Sequence, residues 1–314
     1  MNEHPRVAVL GSGGFVGSAV AGALRRADIE PYGVKAPRLA TVARSVPALL
    51  AAARVVPAEL VDQLRGADVV VNAAGDPDAS ATDVDRLVGA NSLAPALCLA
   101  AATAAGVSRF VHVSSAVVQG KKGLLDESER RDPFSPYALS KCLGEEVLAA
   151  TGTPVEVVVY RPASVHAADR RVTRRISAIA RSPLRSVASP GDQPSPQALV
   201  ENVGAAVAFL CEVERPARYV IHPWEGLTTA SLMTLLGGGR TPRRVPAPLA
   251  RLLVGAARAT VGRMPGRSAD VRRVEMLWFG QRQAESWLTR QGWSPPVGPE
   301  GWQRLAGQVL EVAR

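Results

Sequence analysis

Cysteine is scarce in this 314-residue chain: Cys98, Cys142 and Cys211 are scattered, odd in number and without C-x-x-C spacing. That excludes a disulfide framework and a thiolate zinc site, and reads as reduced thiols in a core or on helices. Aromatic residues make up only 4% and offer no base-stacking platform. The formal charge of +9 therefore points to an anionic small molecule rather than to nucleic acid. No apolar run is long enough to cross a bilayer, and MNEHPR gives way at once to a glycine-rich turn. Neither a membrane span nor a signal peptide is expected, so the expectation is a cytoplasmic protein with no membrane partner and no metal. Repeats and low-complexity tracts are missing too. Lysine is rare: of 37 cationic residues only Lys35, Lys121, Lys122 and Lys141 are lysine.

What is present is an alternation. RVAVL (6–10), IEPYGV (29–34), ADVVVNA (67–73), SRFVHVS (108–114) and VEVVVY (155–160) are short, nearly continuous apolar runs. Strands covered on both faces of a parallel sheet look like this. Helical patterns at 15–26, 38–53, 81–105 and 136–151 separate them, which predicts repeated βαβ units in a Rossmann-type doubly wound α/β sheet. The pattern changes after residue 162. A domain of residues 1–162 is followed by a smaller, mostly helical lobe, 163–314, interleaved with the last strands of the sheet. That lobe is predicted to hold a helix over ALVENVGAAVAFLCEV, a strand at 218–221, and helices at 228–236, 247–262, 269–290 and 300–312.

In VAVLGSGGFVGSAVAGAL a strand runs into Gly11-x-x-Gly14-x-x-Gly17 and then an amphipathic helix. Glycines permit a tight turn and close approach to a pyrophosphate, and the helix N-terminus offers N–H groups and a positive dipole end. Dinucleotide binding follows from that context. Beyond the second strand the chain reads YGVKAPR, with Lys35 and Arg38 and no acid after Glu30. Cations suit a 2′-phosphate, so NADP(H) is favoured and NAD(H) is the alternative.

SPYALSK places Tyr137 four residues before Lys141, on one helix face. With four Tyr and four Lys in 314 residues, about 0.05 such pairs arise by chance. A cation beside a phenol lowers its pKa and lets it exchange a proton near neutrality. Ser114 and Ser115 close the strand at 108–114, on the sheet edge where ligands bind, and a serine there can hold a reacting oxygen.

With these residues in place, the chain resembles the extended short-chain dehydrogenase/reductase family of nucleotide-sugar epimerases, dehydratases and ketoreductases. GSGGFVG (11–17), NAAG (72–75), Asn91, HVSS (112–115), PYALSK (136–141) and YRP (160–162) occur in the family's order. The resemblance implies Tyr137 as acid/base, Lys141 as its tuner and ribose anchor, and Ser115 as the residue binding the reacting oxygen. It implies a pyrophosphate cradle of Gly11, Gly13, Gly14, Phe15, Val16 and Gly17, with Ala73, Ala74 and Gly75 along the adenine and ribose edge. Asn91 would brace the central helix, and Ser114 and Pro162 would lie along the cofactor. A homodimer pairing helices 81–105 and 136–151 is a further implication.

The chain also departs from the family. Ala116-Val117 replaces the dehydratases' Asp-Glu pair after the active serine, which argues against dehydration. Gln119 replaces a tyrosine, and Ser164 an asparagine, that in the family face the substrate. His166 is a candidate to fill that gap, with a structural histidine as the alternative. Arg170, Arg171, Arg174, Arg175, Arg181 and Arg185 suit a diphosphate, or form a solvated face. Trp278, Trp287, Trp293 and Trp302 read as packing residues of the lobe. The expected activity is an NAD(P)H-dependent ketoreductase on a nucleotide-linked keto sugar, against a 4-epimerase retaining NAD and a non-catalytic nucleotide sensor.

Overall fold

The computed structural model describes residues 4–260 and 268–312. In chain order the elements are β1 (Val7–Leu10), α1 (Phe15–Arg26), β2 (Tyr32–Val34), α2 (Val46–Ala52), α3 (Ala58–Leu64), β3 (Val69–Asn72) and α4 (Val84–Val88). A π-helical turn, Gly89–Leu93, leads into α5 (Ala94–Ala104). Then come β4 (Arg109–Val113), a 3₁₀ turn (Ala116–Gln119), β5 (Leu124–Leu125), α6 (Pro136–Ala150), β6 (Glu156–Arg161) and β7 (Ser164–His166). The remainder is α7 (Arg171–Arg181), β8 (Ser186–Ala188), β9 (Gln197–Leu199), α8 (Val200–Glu212), β10 (Tyr219–Ile221) and α9 (Thr229–Leu236). Last are β11 (Arg243–Val245), α10 (Ala247–Ala259), α11 (Ser268–Phe279), β12 (Arg282–Gln283), α12 (Trp287–Arg290) and α13 (Pro299–Val312).

Two compact units result. The first comprises residues 1–120, 127–162 and 201–222. Its six strands, in the order β10-β6-β4-β3-β1-β2, are all parallel, the Rossmann-type arrangement. Leu10 pairs with Asn72 and Asn72 with His112, so three strand ends lie on one edge. Alternate strand faces fill the core with residues such as Leu10, Val70, Phe110 and Val159. Val84–Ala104 is, against expectation, apolar and long enough to cross a bilayer (mean hydropathy 1.5), but 78% of its window is buried, so its apolar surface packs the core. The second unit, residues 121–126, 163–200 and 223–314, is mainly helical, with three two-stranded sheets: β11-β8, β12-β5 and β7-β9.

Two helical expectations need correcting. Residues 38–45 are not helical. They run past Gly89, whose absent Cβ would fall 2.1 Å from the Leu39 carbonyl oxygen, so a close backbone approach overrides helix propensity there. The helix expected over 269–290 stops at Phe279 because Gly280 takes φ +65°, and β12 and α12 follow. Strands β7, β8, β9 and β11, of three residues each, carry no alternation long enough to read. The expected end of α10, residues 261–262, lies outside the described residues.

Candidate active site

The glycine loop is built by backbone contact. Gly11 takes φ +80°, and a Cβ there would lie 3.0 Å from the Ala74 backbone. The Gly14 N–H donates to the Gly11 carbonyl at 2.8 Å. A Cβ on buried Gly17 would fall 2.0 Å from that same carbonyl oxygen, so the first turn of α1 can sit on the loop only with glycine there. The N-terminus of α1 at Gly14 has no side-chain cap, Gly13 has open space around it, and Phe15 and Val16 are half-buried. An uncapped helix start over a turn with Ser12 as its one side chain among glycines fits a dinucleotide pyrophosphate. Lys35 and Arg38, beyond β2, are exposed and make no side-chain hydrogen bond or ion pair among the described residues.

At the end of β3, the Ala73 N–H donates to the Leu10 carbonyl at 3.1 Å and the Ala74 N–H to Asn72 Oδ1 at 3.2 Å. Gly75 has φ +154°; a Cβ on it would meet Asn91 Oδ1 at 2.7 Å and Lys141 Nζ at 3.4 Å. Asn91 is fully buried in the π turn. Its Oδ1 accepts from the Asp76 N–H, and its Nδ2 donates to the Asp76 carbonyl and to Ser140 Oγ at 3.0 Å. Ser140 Oγ in turn donates to the Tyr137 carbonyl at 2.8 Å. Asn91 thus ties the turn after β3 to the first turn of α6.

Helix α6 starts sharply. Ser135 caps the Ala138 N–H and Pro136 occupies the first turn, which sets Tyr137, half-buried, at its opening. One turn on, Lys141 is buried, with Nζ 3.4 Å from the Val113 carbonyl at the end of β4. Burial lowers its pKa from 10.5 to about 8, while Glu145 and Asp76 pull it upward. Ser115, half-buried, opens the 3₁₀ turn and accepts from the Val117 N–H at 3.3 Å, leaving its hydroxyl hydrogen available. The Ala116 N–H donates to the Pro162 carbonyl at 2.8 Å. The ends of β1, β3, β4 and β6 and the first turn of α6 therefore meet along one sheet edge.

Ser114 turns its hydroxyl into the protein. It is buried, and its hydroxyl donates to Glu145 Oε1 at 2.6 Å. Pro162 is buried as well and offers its carbonyl to the protein. The sequence reading missed Glu145 itself. This fully buried carboxylate accepts from Arg161 at 3.0 and 2.7 Å and from Arg131 at 3.0 Å. Arg161, also fully buried, donates to the Ser128 carbonyl and lies 4.6 Å over the Tyr219 ring. The available signal was Glu145 one turn after Lys141, with an arginine inside YRP. Buried His112 was missed as well. Asn72 Nδ2 donates to its Nδ1, which places the proton on Nε2, an atom without a partner among the described residues. Burial and the Lys141 charge hold His112 neutral. Gln119 is buried and donates to the Arg130 carbonyl at 3.0 Å.

In the second unit His166 is structural. Its Nδ1 accepts from Thr173 Oγ1 at 2.9 Å, its Nε2 donates to Gln197 Oε1 at 2.7 Å, and burial drives its pKa down to about 4. With both nitrogens engaged it cannot replace the missing asparagine. Trp302 packs on its ring and donates to Glu225 at 2.7 Å. Arg171, Arg174 and Arg175 are exposed on α7, whereas Arg185 is half-buried and held by the Ser182 and Thr241 carbonyls.

A sequence profile described as the NAD dependent epimerase/dehydratase family matches residues 7–218. One curated relative, a 4-hydroxy-2-methyl-3-oxo-4-farnesyl-3,4-dihydroquinoline-1-oxide ketoreductase of Stigmatella aurantiaca, is 39% identical over 116 residues. That match spans 35% of this chain and about a third (34%) of the relative. Among solved structures, a UDP-glucuronic acid 4-epimerase from Bacillus cereus in complex with NAD superposes with TM-score 0.67 and 17% identity, covering 98% of this chain and 100% of that one. A dTDP-4-dehydrorhamnose reductase from Bacillus anthracis in complex with NADP gives 0.61 and 14%, covering 98% and 99%. At such identities these structures establish the fold.

Proposed function

Because the chain belongs to the NAD dependent epimerase/dehydratase family of extended short-chain dehydrogenases/reductases, we propose that it is an NAD(P)H-dependent ketoreductase. One observation carries the reading: Tyr137 and Lys141 share a face of α6, and Lys141 is a buried cation with a pKa near 8. Held in the glycine cradle, a nicotinamide coenzyme supplies or accepts a hydride. In reduction Tyr137 gives its phenolic proton to the carbonyl oxygen, and in oxidation it takes that proton back. The Lys141 ammonium stabilises the phenolate, and the Ser115 hydroxyl donates to the same oxygen. Asn91 holds the first turn of α6 in register. Lys35 and Arg38, exposed and without a side-chain partner among the described residues, support NADP(H) over NAD(H).

For the carbonyl substrate, the epimerase/dehydratase family match supports a nucleotide-linked keto sugar. A second reading, a prenylated aromatic ketone, is favoured by the ketoreductase match and by Gln119 and Ser164 standing where sugar-contacting residues are expected. The test is consumption of NADPH, followed by nicotinamide absorbance, with both ketone classes. Tyr137→Phe should lower turnover by roughly 10²–10⁴-fold with coenzyme affinity retained. Unchanged turnover in that variant would overturn the assignment. Conversion of a sugar to its epimer without net NADPH consumption would select the epimerase instead.

A further inference from the structure

Charge divides unevenly between the two compact units. The second holds 21 of the 37 Lys and Arg and nine of the 28 Asp and Glu, net +12, and the first holds 16 and 19, net −3. The whole excess of +9 arises in the unit without the glycine loop. An unneutralised surface of that size attracts an anionic partner.

In the same unit α10 carries two apolar stripes. Ala250 and Val254 are buried and Ala257 half-buried, and this stripe joins the helix to its unit. Leu249, Leu252, Leu253 and Ala256, at i, i+3, i+4 and i+7, form another. They are exposed, the leucines at 47%, 68% and 47%. Val274, on the neighbouring α11, is 46% exposed. The charged residues of α10 are Arg251 and Arg258, with no acid. Arg258 pairs with Glu275. Arg251, like the exposed Arg243 and Arg244 of β11 just before the helix, makes no side-chain hydrogen bond or ion pair among the described residues. A surface helix needs one apolar stripe for its core; a second one, three leucines wide, exposes apolar area to water.

We propose that α10 docks on a bilayer surface containing anionic phospholipid. The leucine stripe enters the headgroup–acyl boundary, while Arg243 and Arg244 extend to lipid phosphates. Two observations choose this occupant. A second copy of this face would set one +12 unit against another, and a nucleic acid would leave three leucines in water. The inference is independent of the ketone's identity.

The test uses the full chain with vesicles of phosphatidylcholine alone and of phosphatidylcholine mixed equally with phosphatidylglycerol, separated by flotation. The expected result is binding to the mixed vesicles, weakened by salt, and roughly tenfold weaker binding to phosphatidylcholine alone. Leu252→Ser with Leu253→Ser, and separately Arg243→Ser with Arg244→Ser, should each lower partitioning roughly tenfold. Melting curves should not change, since all four side chains are exposed. Three results would each overturn the proposal: no binding to mixed vesicles, leucine variants that bind as well as the parent, or a leucine variant whose mass in light scattering falls from dimer to monomer.

Discussion

Replacing Glu145 by glutamine tests the network beneath the site. The carboxylate is fully buried and accepts four hydrogen bonds: two from fully buried Arg161, one from Arg131 and one from Ser114. Glutamine preserves the shape but presents an NH₂ where Arg161 Nη2 and Arg131 Nε both donate to Oε2, so donors face donors and Arg161 loses its counter-charge. Breaking a buried ion pair from one side costs about 3–5 kcal/mol. For a chain of this size that lowers the melting temperature by about 5–15 °C. The second consequence is catalytic. Glu145 raises the Lys141 pKa against the larger effect of burial, so its neutralisation lets Lys141 lose its proton at lower pH. The alkaline limb of turnover, governed by the Lys141 charge near pH 8 in the parent, should move to lower pH in Glu145→Gln. Differential scanning calorimetry and a pH–rate profile read the two effects. Glu146→Gln, the half-buried neighbour, is the control and should shift stability by about 0.5 kcal/mol or less. A stability loss below about 1 kcal/mol for Glu145→Gln, with an unmoved alkaline limb, would refute this account.

Gly17→Ala should abolish coenzyme binding in a titration followed by nicotinamide fluorescence, because its Cβ meets the Gly11 carbonyl at 2.0 Å; it should also cost about 1–3 kcal/mol of stability. His166 is held neutral with a pKa near 4, below its ordinary value of about 6.5, so the unfolded chain binds the extra proton between those values. Stability should therefore fall as pH drops from 6.5 to 4, by up to about 3 kcal/mol, and urea melts of His166→Gln should show a flatter profile over that window. Lys35→Ala with Arg38→Ala should raise the KM for NADPH roughly tenfold and leave that for NADH unchanged; equal effects on both would remove these residues from coenzyme selection.

The parallel sheet was legible because strands buried on both faces must be apolar throughout, and the helices between them must follow a 3.6 period. All six sheet strands, including β10 from the run expected at 218–221, and α1 can be located this way. Glycine spacing and the Tyr137–Lys141 interval were legible because both are local: a tight turn or one helical step fixes the geometry. The non-helical run at 38–45 was not legible, because the approach of a distant Gly89 decides it. Nor were the short strands of the second unit, which have no periodicity to detect.

What the amino-acid order by itself determined is thus the set of features whose cause lies within a few residues: sheet class, glycine cradle, and the tyrosine–lysine pair. Tertiary structure decided which polar groups face inward. Ser114 turned to Glu145, His166 was enclosed by Thr173, Gln197 and Trp302, and Lys141 lost its solvent. A side chain's burial, and so its pKa, depends also on residues brought to it from distant parts of the chain, and no local spacing encodes that.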